Sequence, residues 1–301
     1  MSLTATIGKS ACILVDFMDS APSITIRGIR YSFVRKRERQ NISVYRSRSA
    51  YLRLGPPRLI ANERAYSEAL LRANFPVPNI IARGTYRGQW YSIEQSIGTK
   101  QFGKYFISDC GRTGEISARH MASFIRIVSR YTDAQLATRR KKKDWAAFAR
   151  SVHLSILQKE LPAKSVRLRS AYARAAKRLL LFPFVLSHGD FNPHNIFPRG
   201  VIDLEQVCFA PAGYDALTAL SHIDMFPDDP SYEYHRLYSF SRRQKESYLA
   251  MIDQLFCSAG LPAPSRFARE FRLCRMLWSA ARMQRYPRLQ KWRYRLLDSM
   301  L

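Results

Sequence analysis

The chain has 301 residues, of which 47% are hydrophobic, and its 49 Lys and Arg against 23 Asp and Glu give a net charge of +26. Its 13 glycines and 15 prolines exclude a collagen-like or low-complexity protein, and its 12% aromatic content argues against intrinsic disorder. No apolar run approaches the ~20 residues that a membrane-spanning helix needs, so the composition predicts a soluble, cytoplasmic protein without a transmembrane segment.

The cysteines and the charge narrow the class of protein further. Five scattered cysteines, none in a Cys-x-x-Cys pair, argue against a disulfide framework or a cysteine zinc site and fit a reducing cytoplasm. The excess of cations is compatible with nucleic acid, anionic lipid headgroups or phosphorylated substrates as partners. It is equally compatible with a solvated, arginine-rich surface.

The first third of the sequence is predicted to be rich in β-strands. Alternating or short apolar runs are bounded by Gly and Pro clusters, and one helical stripe of apolar residues lies between them. Asn62 is placed to cap that helix. The predicted elements are strands at Ser23–Ile29, Asn41–Tyr45 and Ala50–Leu54, a helix at Ala61–Ala73, and strands at Asn79–Ala82 and Trp90–Ile97.

The rest of the sequence has mostly helical periodicity. Glycine and proline punctuate the helices, as they do between Cys257 and Ser265. The pattern predicts an α+β protein with a small β-rich lobe over residues 1–97 and a larger helical lobe over residues 98–301. The predicted helices are Ser117–Gln135, Ser165–Leu180, Ser241–Cys257, Ser265–Met283 and Leu289–Leu297.

A polar loop between two apolar segments carries the chemistry-bearing residues. Asp190 is followed by Asn195 and then, after the apolar pair Val201–Ile202, by Asp203. Phosphoryl transfer needs a carboxylate to orient and deprotonate an alcohol and oxygen ligands for Mg²⁺, and protein kinases use this order of residues for those tasks. The alternative is a His/Asp metal centre for hydrolysis, made of His188, Asp190, His194 and Asp203.

The loop resembles that of the aminoglycoside phosphotransferase and choline kinase-like family. His188–Asn195 is similar to the family's His-Gly-Asp-x-x-x-x-Asn catalytic loop, and Val201–Asp203 is similar to its apolar-Ile-Asp segment. The resemblance implies a two-lobed, protein-kinase-like fold. It also implies ATP and Mg²⁺ as cofactors, Asp190 as the catalytic residue, and Asn195 and Asp203 as metal ligands.

Upstream segments extend the resemblance. The stretch from Glu63 to Val77-Pro78 is similar to the family's helix with an ion-pairing glutamate. The segment containing Glu94, Gln95 and Ile97 resembles the hinge that binds adenine through backbone groups. Arg53 stands where protein kinases have a nucleotide-anchoring lysine, and choline kinase-like proteins have arginine there. Arg53, positioned by Glu63, is therefore expected to neutralise phosphate charge.

The predicted function is ATP- and Mg²⁺-dependent phosphorylation of a hydroxyl on a small molecule or a cell-envelope glycan. One feature departs from the kinases, because the stretch Arg35–Gln40 lacks the glycines that bring backbone N–H groups close to phosphates. That departure leaves open an alternative, a catalytically inactive kinase-like module that binds an acidic partner or nucleic acid.

Residues 271–297 contain eight basic residues and no acidic one, which does not favour a cationic aminoglycoside as the acceptor. The basic side chains are expected to face outward from amphipathic helices. They then form either a solvated face or a surface for an anionic substrate or the inner face of an anionic membrane. They are Arg272, Arg275, Arg282, Arg285, Arg288, Lys291, Arg293 and Arg295.

Overall fold

The structure is a computed structural model that describes residues 22–37, 41–281 and 286–301, with Asn62 described by its backbone alone. Parts of three predictions lie outside the described residues: the end of the glycine-free stretch at residues 38–40, the end of the helix at Met283, and two of the basic residues, Arg282 and Arg285. Among the described residues, no helix is long and apolar enough to cross a membrane.

The chain divides into two compact units. One holds the described residues up to Ile60 together with Ile81–Glu94, and the other holds Ala61–Ile80 together with Gln95–Leu301. The assignment of nucleotide binding to residues 1–97 and of catalysis and acceptor binding to residues 98–301 stays a prediction.

The N-terminal region forms a six-stranded sheet with the strand order β1-β2-β3-β4-β6-β5. Its inner face packs around Tyr31, Leu52 and Ile93, which are almost fully buried. The strands are β1 Ser23–Ile26, β2 Ile29–Arg37, β3 Ile42–Arg46, β4 Ala50–Gly55, β5 Ile80–Tyr86 and β6 Gln89–Gln95.

Two predicted elements of this region differ from the structure. The single strand predicted at Ser23–Ile29 is a hairpin, because Arg27 and Gly28 both have positive φ, 51° and 75°, and form the tight turn that joins β1 to β2. The helix α1 spans Pro57–Arg72 and so begins earlier than predicted, which places Asn62 inside the helix and not at its N-cap. A proline is well accommodated in the first turn of a helix, where its missing N–H is not needed.

The C-terminal region contains nine further helices among the described residues. Two of the predicted helices begin at caps the sequence supplies, since the side chains of Ser117 and Ser241 accept hydrogen bonds from the first turn. The helices are α2 Phe102–Thr113, α3 Ala118–Leu136, α4 Trp145–Ser151, α5 Leu154–Glu160, α6 Ser165–Arg178, α7 Tyr214–Ser221, α8 Arg242–Ser258, α9 Ala268–Ala280 and α10 Pro287–Asp298.

The α9 helix lies at the centre of the helical unit. It packs against α5, α6, α7 and α10 and is buried along most of its length. Two short antiparallel pairs complete the unit: β7 Phe184–Ser187 with β10 Cys208–Pro211, and β8 Ile196–Phe197 with β9 Gly200–Val201. The predicted α+β class, with a β-rich N-terminal part and a helical C-terminal part, is confirmed.

Candidate active site

The polar loop follows β7, and its first turn requires a glycine. Gly189 has φ of 77°, and a Cβ atom built there would lie 2.1 Å from the carbonyl oxygen of Gln206. Only glycine tolerates both the left-handed backbone and this close approach. The chain can therefore turn sharply out of β7, and the carboxylate of the next residue, Asp190, stays partly exposed.

A buried carboxylate from α7 holds the start of the loop. Asp215 is fully buried and accepts hydrogen bonds from the backbone N–H groups of His188 at 2.6 Å and Gly189 at 3.1 Å. It also accepts from the Tyr131 hydroxyl at 3.0 Å and the Gln135 amide at 2.8 Å, both on α3. Burial raises the pKa of Asp215, and these donors oppose that shift.

His188 holds the far side of the loop and is not a metal ligand in this geometry. Its Nε2 lies 2.7 Å from the carbonyl oxygen of Ile202, and its Nδ1 accepts from the backbone N–H of Asp190 at 3.2 Å. Both ring nitrogens are thus used within the loop. In the described part of the chain, no group of three His, Cys, Asp or Glu side chains could hold a metal ion. These observations argue against the alternative His/Asp centre for hydrolysis.

The second histidine of that alternative, His194, is a packing residue. A Cβ atom on Gly103 would lie 2.4 Å from its ring, and the Gly103 N–H donates to the carbonyl oxygen of Pro193 at 2.8 Å. Burial lowers the pKa of His194, which keeps the ring neutral. The start of α2 therefore supports the loop, a role that the sequence did not indicate because α2 was not predicted.

The two carboxylate oxygens of Asp190 have different partners. Oδ1 accepts from Arg275 Nη2 at 2.7 Å and from Asn192 Nδ2 at 3.0 Å. Oδ2 has one long contact, 3.3 Å from Asn195 Nδ2, and that amide is closer, 2.9 Å, to the carbonyl oxygen of Asp190 itself. Oδ2 is consequently the oxygen better able to accept a hydrogen bond from another molecule.

Arg275, on α9, contacts the loop through the Asp190 carboxylate. It was expected to face outward, but it is fully buried on α9, where it also donates to the Gly189 carbonyl at 3.3 Å and lies 3.0 Å from His222 Nδ1. Its guanidinium stacks over the Trp278 ring, 3.8 Å from the centroid. Burial and the Arg275 charge hold the pKa of His222 well below its usual range, so the neutral ring can accept this hydrogen bond.

The β8–β9 hairpin brings Asn195 and Asp203 together at one end. Ile196 pairs with Val201, and the Ile202 N–H continues the ladder by donating to the Asn195 carbonyl at 3.0 Å. Asp203 follows directly in a left-handed conformation, with φ of 69°. Such a backbone is uncommon outside glycine and is tolerated best by Asn and Asp.

The donor set at this end of the hairpin fits Mg²⁺. The Asn195 amide nitrogen donates to the carbonyl and carboxylate oxygens of Asp190. The amide oxygen of Asn195 has no hydrogen-bond partner among the described residues. Mg²⁺ favours one or two side-chain oxygens together with phosphate and water oxygens. Asn195 and Asp203 could supply that set, and their role as metal ligands stays a prediction.

The predicted nucleotide residues in the first unit form an ion pair. Arg53 on β4 donates from Nε to Glu94 Oε1 on β6 at 3.1 Å, and both side chains are largely shielded from water. Arg53 is therefore not a solvent-facing residue of the strand. Its expected pairing with Glu63, which lies on α1 in the other unit, stays a prediction.

The predicted hinge follows β6. The Gln95 N–H is used by the Asn79 carbonyl at 2.8 Å, whereas the backbone N–H and carbonyl of Ile97 make no hydrogen bond within the described residues. A Cβ atom on Gly98 would lie 3.2 Å from the Phe197 ring of β8. The hinge thus ends against the hairpin that carries Asn195, and Ile97 has backbone groups available to a ligand.

The basic C-terminal segment differs from the expectation of an outward-facing basic surface. Arg275 and Arg293 are buried, and Arg293 donates to the carbonyl oxygens of Met225 at 3.2 Å and Ser279 at 2.7 Å. Burial lowers the pKa of Arg293 to about 9. Of the eight cations on which the expectation of an anionic acceptor depends, two are buried and two lie outside the described residues. The expectation is weaker for that reason.

Comparisons with known proteins bear on this arrangement. The model of the Phosphotransferase enzyme family matches residues 37–268. Among curated protein sequences, none matches the chain at a significant level. Two similar solved structures cover most of the chain at low identity, and such a likeness shows the fold alone.

One is a choline/ethanolamine kinase family protein from Mesorhizobium loti, 12% identical, with a TM-score of 0.54 over 89% of this chain and 87% of that one. The other is an aminoglycoside phosphotransferase from Streptomyces rimosus in complex with ADP and streptomycin, 15% identical, with a TM-score of 0.50 over 78% of this chain and 90% of that one. The predicted kinase-like fold is confirmed. Since the family model spans most of the chain, including the loop around Asp190, this protein belongs to the phosphotransferase enzyme family.

Proposed function

We propose that the protein transfers the γ-phosphoryl group of ATP, with Mg²⁺, to a hydroxyl of a small molecule or a cell-envelope glycan. The observation that carries the proposal is the constrained loop at Asp190. Its carboxylate is fixed through Oδ1, and Oδ2 is left with a single long contact. A carboxylate held in this way, beside a pair of oxygen ligands suited to Mg²⁺, is the arrangement that phosphoryl transfer to an alcohol requires.

In the proposed reaction the acceptor hydroxyl donates a hydrogen bond to Asp190 Oδ2. As the bond between the hydroxyl oxygen and phosphorus forms and the bond to ADP breaks, the hydroxyl proton passes to Asp190. Because the transition state of phosphoryl transfer is loose, the carboxylate mainly orients the hydroxyl and takes its proton late. Bound Mg·ATP would supply the phosphoryl group and the positive charge on the phosphates, with Asn195 Oδ1 and Asp203 holding the metal.

The remaining predicted residues are proposed to bind the nucleotide. The backbone groups of Gln95 and Ile97 would take the adenine, and the paired side chains of Arg53 and Glu94 would place a guanidinium fork toward phosphate oxygens. Glu63 would help to orient that fork. Support for this part of the proposal comes from the largely buried Arg53–Glu94 pair and from the available backbone of Ile97.

Two substitutions test the proposal. Asp190→Asn keeps the size of the side chain but removes the proton acceptor, so kcat should fall by about 10²-fold or more while Mg·ATP binding is retained. Asp203→Ala should instead weaken binding of Mg·ATP, measured by calorimetry with and without Mg²⁺. An Asp190→Asn enzyme with undiminished turnover would refute the assignment, and Mg·ATP binding without any turnover in the unmodified protein would favour the inactive module.

The acceptor can be found by a screen. The purified protein is incubated with Mg·ATP and pooled hydroxyl-bearing metabolites and envelope sugars, and products are identified by the added mass of one phosphate. Anionic, neutral and cationic pools are kept separate. The pool that gives a product then shows the charge of the acceptor. The basic C-terminal segment, which is partly buried, does not indicate that charge.

We further propose a peripheral contact with an anionic membrane, through a surface that the sequence analysis did not single out. Arg139, Arg140, Lys141 and Lys142 are exposed, and the chain beside them at Leu180–Leu181 exposes two leucines. The two segments are held together by the Arg140 N–H on the Phe184 carbonyl and by Lys143 Nζ on the Leu180 carbonyl. Cations beside exposed apolar side chains suit a lipid surface better than nucleic acid.

A further inference from the structure

We infer that Arg275 is a positioning residue for the catalytic loop, holding the Asp190 carboxylate in its working orientation. The inference rests on the proposed function and adds a residue to it from outside the region of the family match. The family model ends at residue 268, whereas Arg275 lies on α9, Ala268–Ala280. The part of the chain beyond the family match therefore contributes to the loop at the centre of the proposed site.

The charge balance around Arg275 supports this role. Its side chain has no solvent exposure, and a buried guanidinium is costly unless a carboxylate compensates it. Within the described residues the only carboxylate paired with Arg275 is that of Asp190, which keeps 20% exposure. The stability of a buried cation is thus tied to the presence and ionisation of the residue proposed to take the acceptor's proton.

The geometry shows what Arg275 does to the loop. One edge of the planar guanidinium contacts two consecutive residues of the loop. Nη1 donates to the Gly189 carbonyl and Nη2 donates to Asp190 Oδ1. The planar fork cannot satisfy both unless the turn and the carboxylate keep one relative orientation. With Oδ1 taken by Arg275 and Asn192, Oδ2 is the oxygen left for a hydroxyl.

The guanidinium is itself held from the other side. It donates to the neutral ring of His222, which follows α7, and it stacks on Trp278 of the same helix. Asp215, on the same α7, holds the backbone of His188 and Gly189. The loop is thereby clamped through its backbone by Asp215 and through its carboxylate by Arg275.

Turnover of Mg·ATP, followed as ADP release with the acceptor from the screen, distinguishes positioning from simple support of the fold. Arg275→Met should lower kcat by about 10²-fold while the KM for ATP changes less than about twofold, as expected when only the reacting group is displaced. Arg275→Lys retains the charge without the fork and should recover part of the loss. The matched control is Arg293→Met, because Arg293 is as deeply buried on the neighbouring helix and, among the described residues, donates only to the backbone carbonyls of Met225 and Ser279.

The outcomes separate clearly. If Arg275→Met and Arg293→Met lower kcat of the folded enzyme equally, or if Arg275→Met leaves kcat unchanged, Arg275 has no positioning role. If Arg275→Met does not fold, Arg275→Lys decides, since an unchanged kcat in that variant would overturn the inference. If the wild-type protein is active and Asp190→Asn abolishes the activity but substitution of Arg275 does not, the proposed function stands. Only the inference about Arg275 is then overturned.

A second measurement needs no substrate and does not depend on the proposed function. Melting temperatures are compared for Asp190→Ala, Arg275→Met and the double variant. Asp190→Ala alone leaves the buried guanidinium without its counter-charge and should lower the melting temperature by several degrees, and adding Arg275→Met should recover part of that loss. Strictly additive shifts would show that the two side chains are not coupled and would overturn the inference.

Discussion

Arg53 and Arg275 show how differently two arginines can be used in this chain. Arg53 is paired with Glu94 on a neighbouring strand, and its side chain keeps 11% exposure. Arg275 is buried and faces the loop. The resemblance to known kinases indicated the first residue, because its place in an apolar strand corresponds to a nucleotide anchor. Nothing in that resemblance indicated the second.

A first prediction at this scale concerns Arg53. Arg53→Met removes a guanidinium proposed to contact phosphate, so the KM for ATP should rise and kcat should fall, each by about tenfold. The combined loss of about a hundredfold in kcat/KM matches the roughly 1.5–3 kcal/mol of one charged hydrogen bond. Arg58→Met is the matched control, since Arg58 is exposed at the start of α1. Steady-state kinetics with ATP as the varied substrate measure both. Equal and mild effects of the two substitutions would move the nucleotide site away from Arg53.

Within helices, the spacing of a residue from apolar neighbours predicted its burial better than its own charge did. Arg275 follows Phe271 by four residues and precedes Trp278 by three, and Arg293 lies four residues from both Leu289 and Leu297. Residues at these spacings share a helix face. Both arginines therefore occupy the apolar stripe of their helix, and the expectation that all cations face outward was wrong for them. The spacing was the signal that could have found them.

The junction of α2 and α3 supplies a second prediction. Asp109 on α2 is buried and accepts from the Ser117 N–H at 3.0 Å and from His120 Nδ1 at 2.7 Å. Burial alone would raise its pKa, but these hydrogen bonds outweigh it and lower the pKa to about 2. A carboxyl whose pKa is lowered by folding stabilises the fold above its unfolded pKa of roughly 4, and that stabilisation is lost as the pH falls toward 2.

Asp109→Asn should therefore lower the free energy of unfolding by about 1–2 kcal/mol near neutral pH, and the difference from wild type should narrow as the pH falls below about 4. Urea unfolding at pH 7, 5, 4 and 3.5 measures it. Asp133→Asn on α3 is the control, because that carboxylate makes no side-chain hydrogen bond within the described residues and its loss should change stability little. A difference for Asp109→Asn that stayed constant across this range would contradict the linkage.

For the molecule as a whole, the large positive charge is divided between buried and exposed sites. Some cationic side chains are buried and structural, such as Arg293 against the Phe226 ring, and others are exposed without an ion pair in the described structure, such as Lys141 and Lys142. Net charge alone therefore does not indicate a binding surface. The exposed run at Arg139–Lys142 beside Leu180 and Leu181 is a more specific candidate.

The membrane proposal is tested by sedimentation with vesicles. Vesicles containing phosphatidylglycerol should bind the protein in a salt-sensitive way, and vesicles of phosphatidylcholine alone should not. Replacing Arg139, Lys141 and Lys142 by Gln should weaken binding by about 10²-fold, at roughly 1 kcal/mol for each cation. The same charge change at Arg288, Lys291 and Arg295 on α10 is the control and should have a smaller effect. Equal losses would indicate a non-specific response to charge, and competition by duplex DNA would favour nucleic acid instead.

The sequence by itself determined the class of the fold, the order of five of the six strands of the N-terminal sheet and of six helices, and the polar stretch that carries Asp190, Asn195 and Asp203. These features are local, because alternation, caps, glycines and the order Asp190, Asn195, Asp203 are all written in short stretches of chain. The hairpin at Arg27–Gly28 and the helices α2, α4 and α5 were missed. A tight turn can interrupt an alternating run, glycines weaken the helical pattern of α2, and the two turns of α4 and of α5 are too short to show a period.

The tertiary structure alone decided that Arg275 and two side chains of α3, Tyr131 and Gln135, support the loop. Asp190 and Arg275 are far apart in the sequence, as are Tyr131 and Asp215, and no local pattern relates them. Their contacts arise because α9 and α7 pack together in the core and deliver a buried cation and a buried carboxylate to the same turn. Spacing along α9 can indicate that Arg275 is buried, but its pairing with Asp190 depends on the packing of distant elements and could be recognised only after the fold was known.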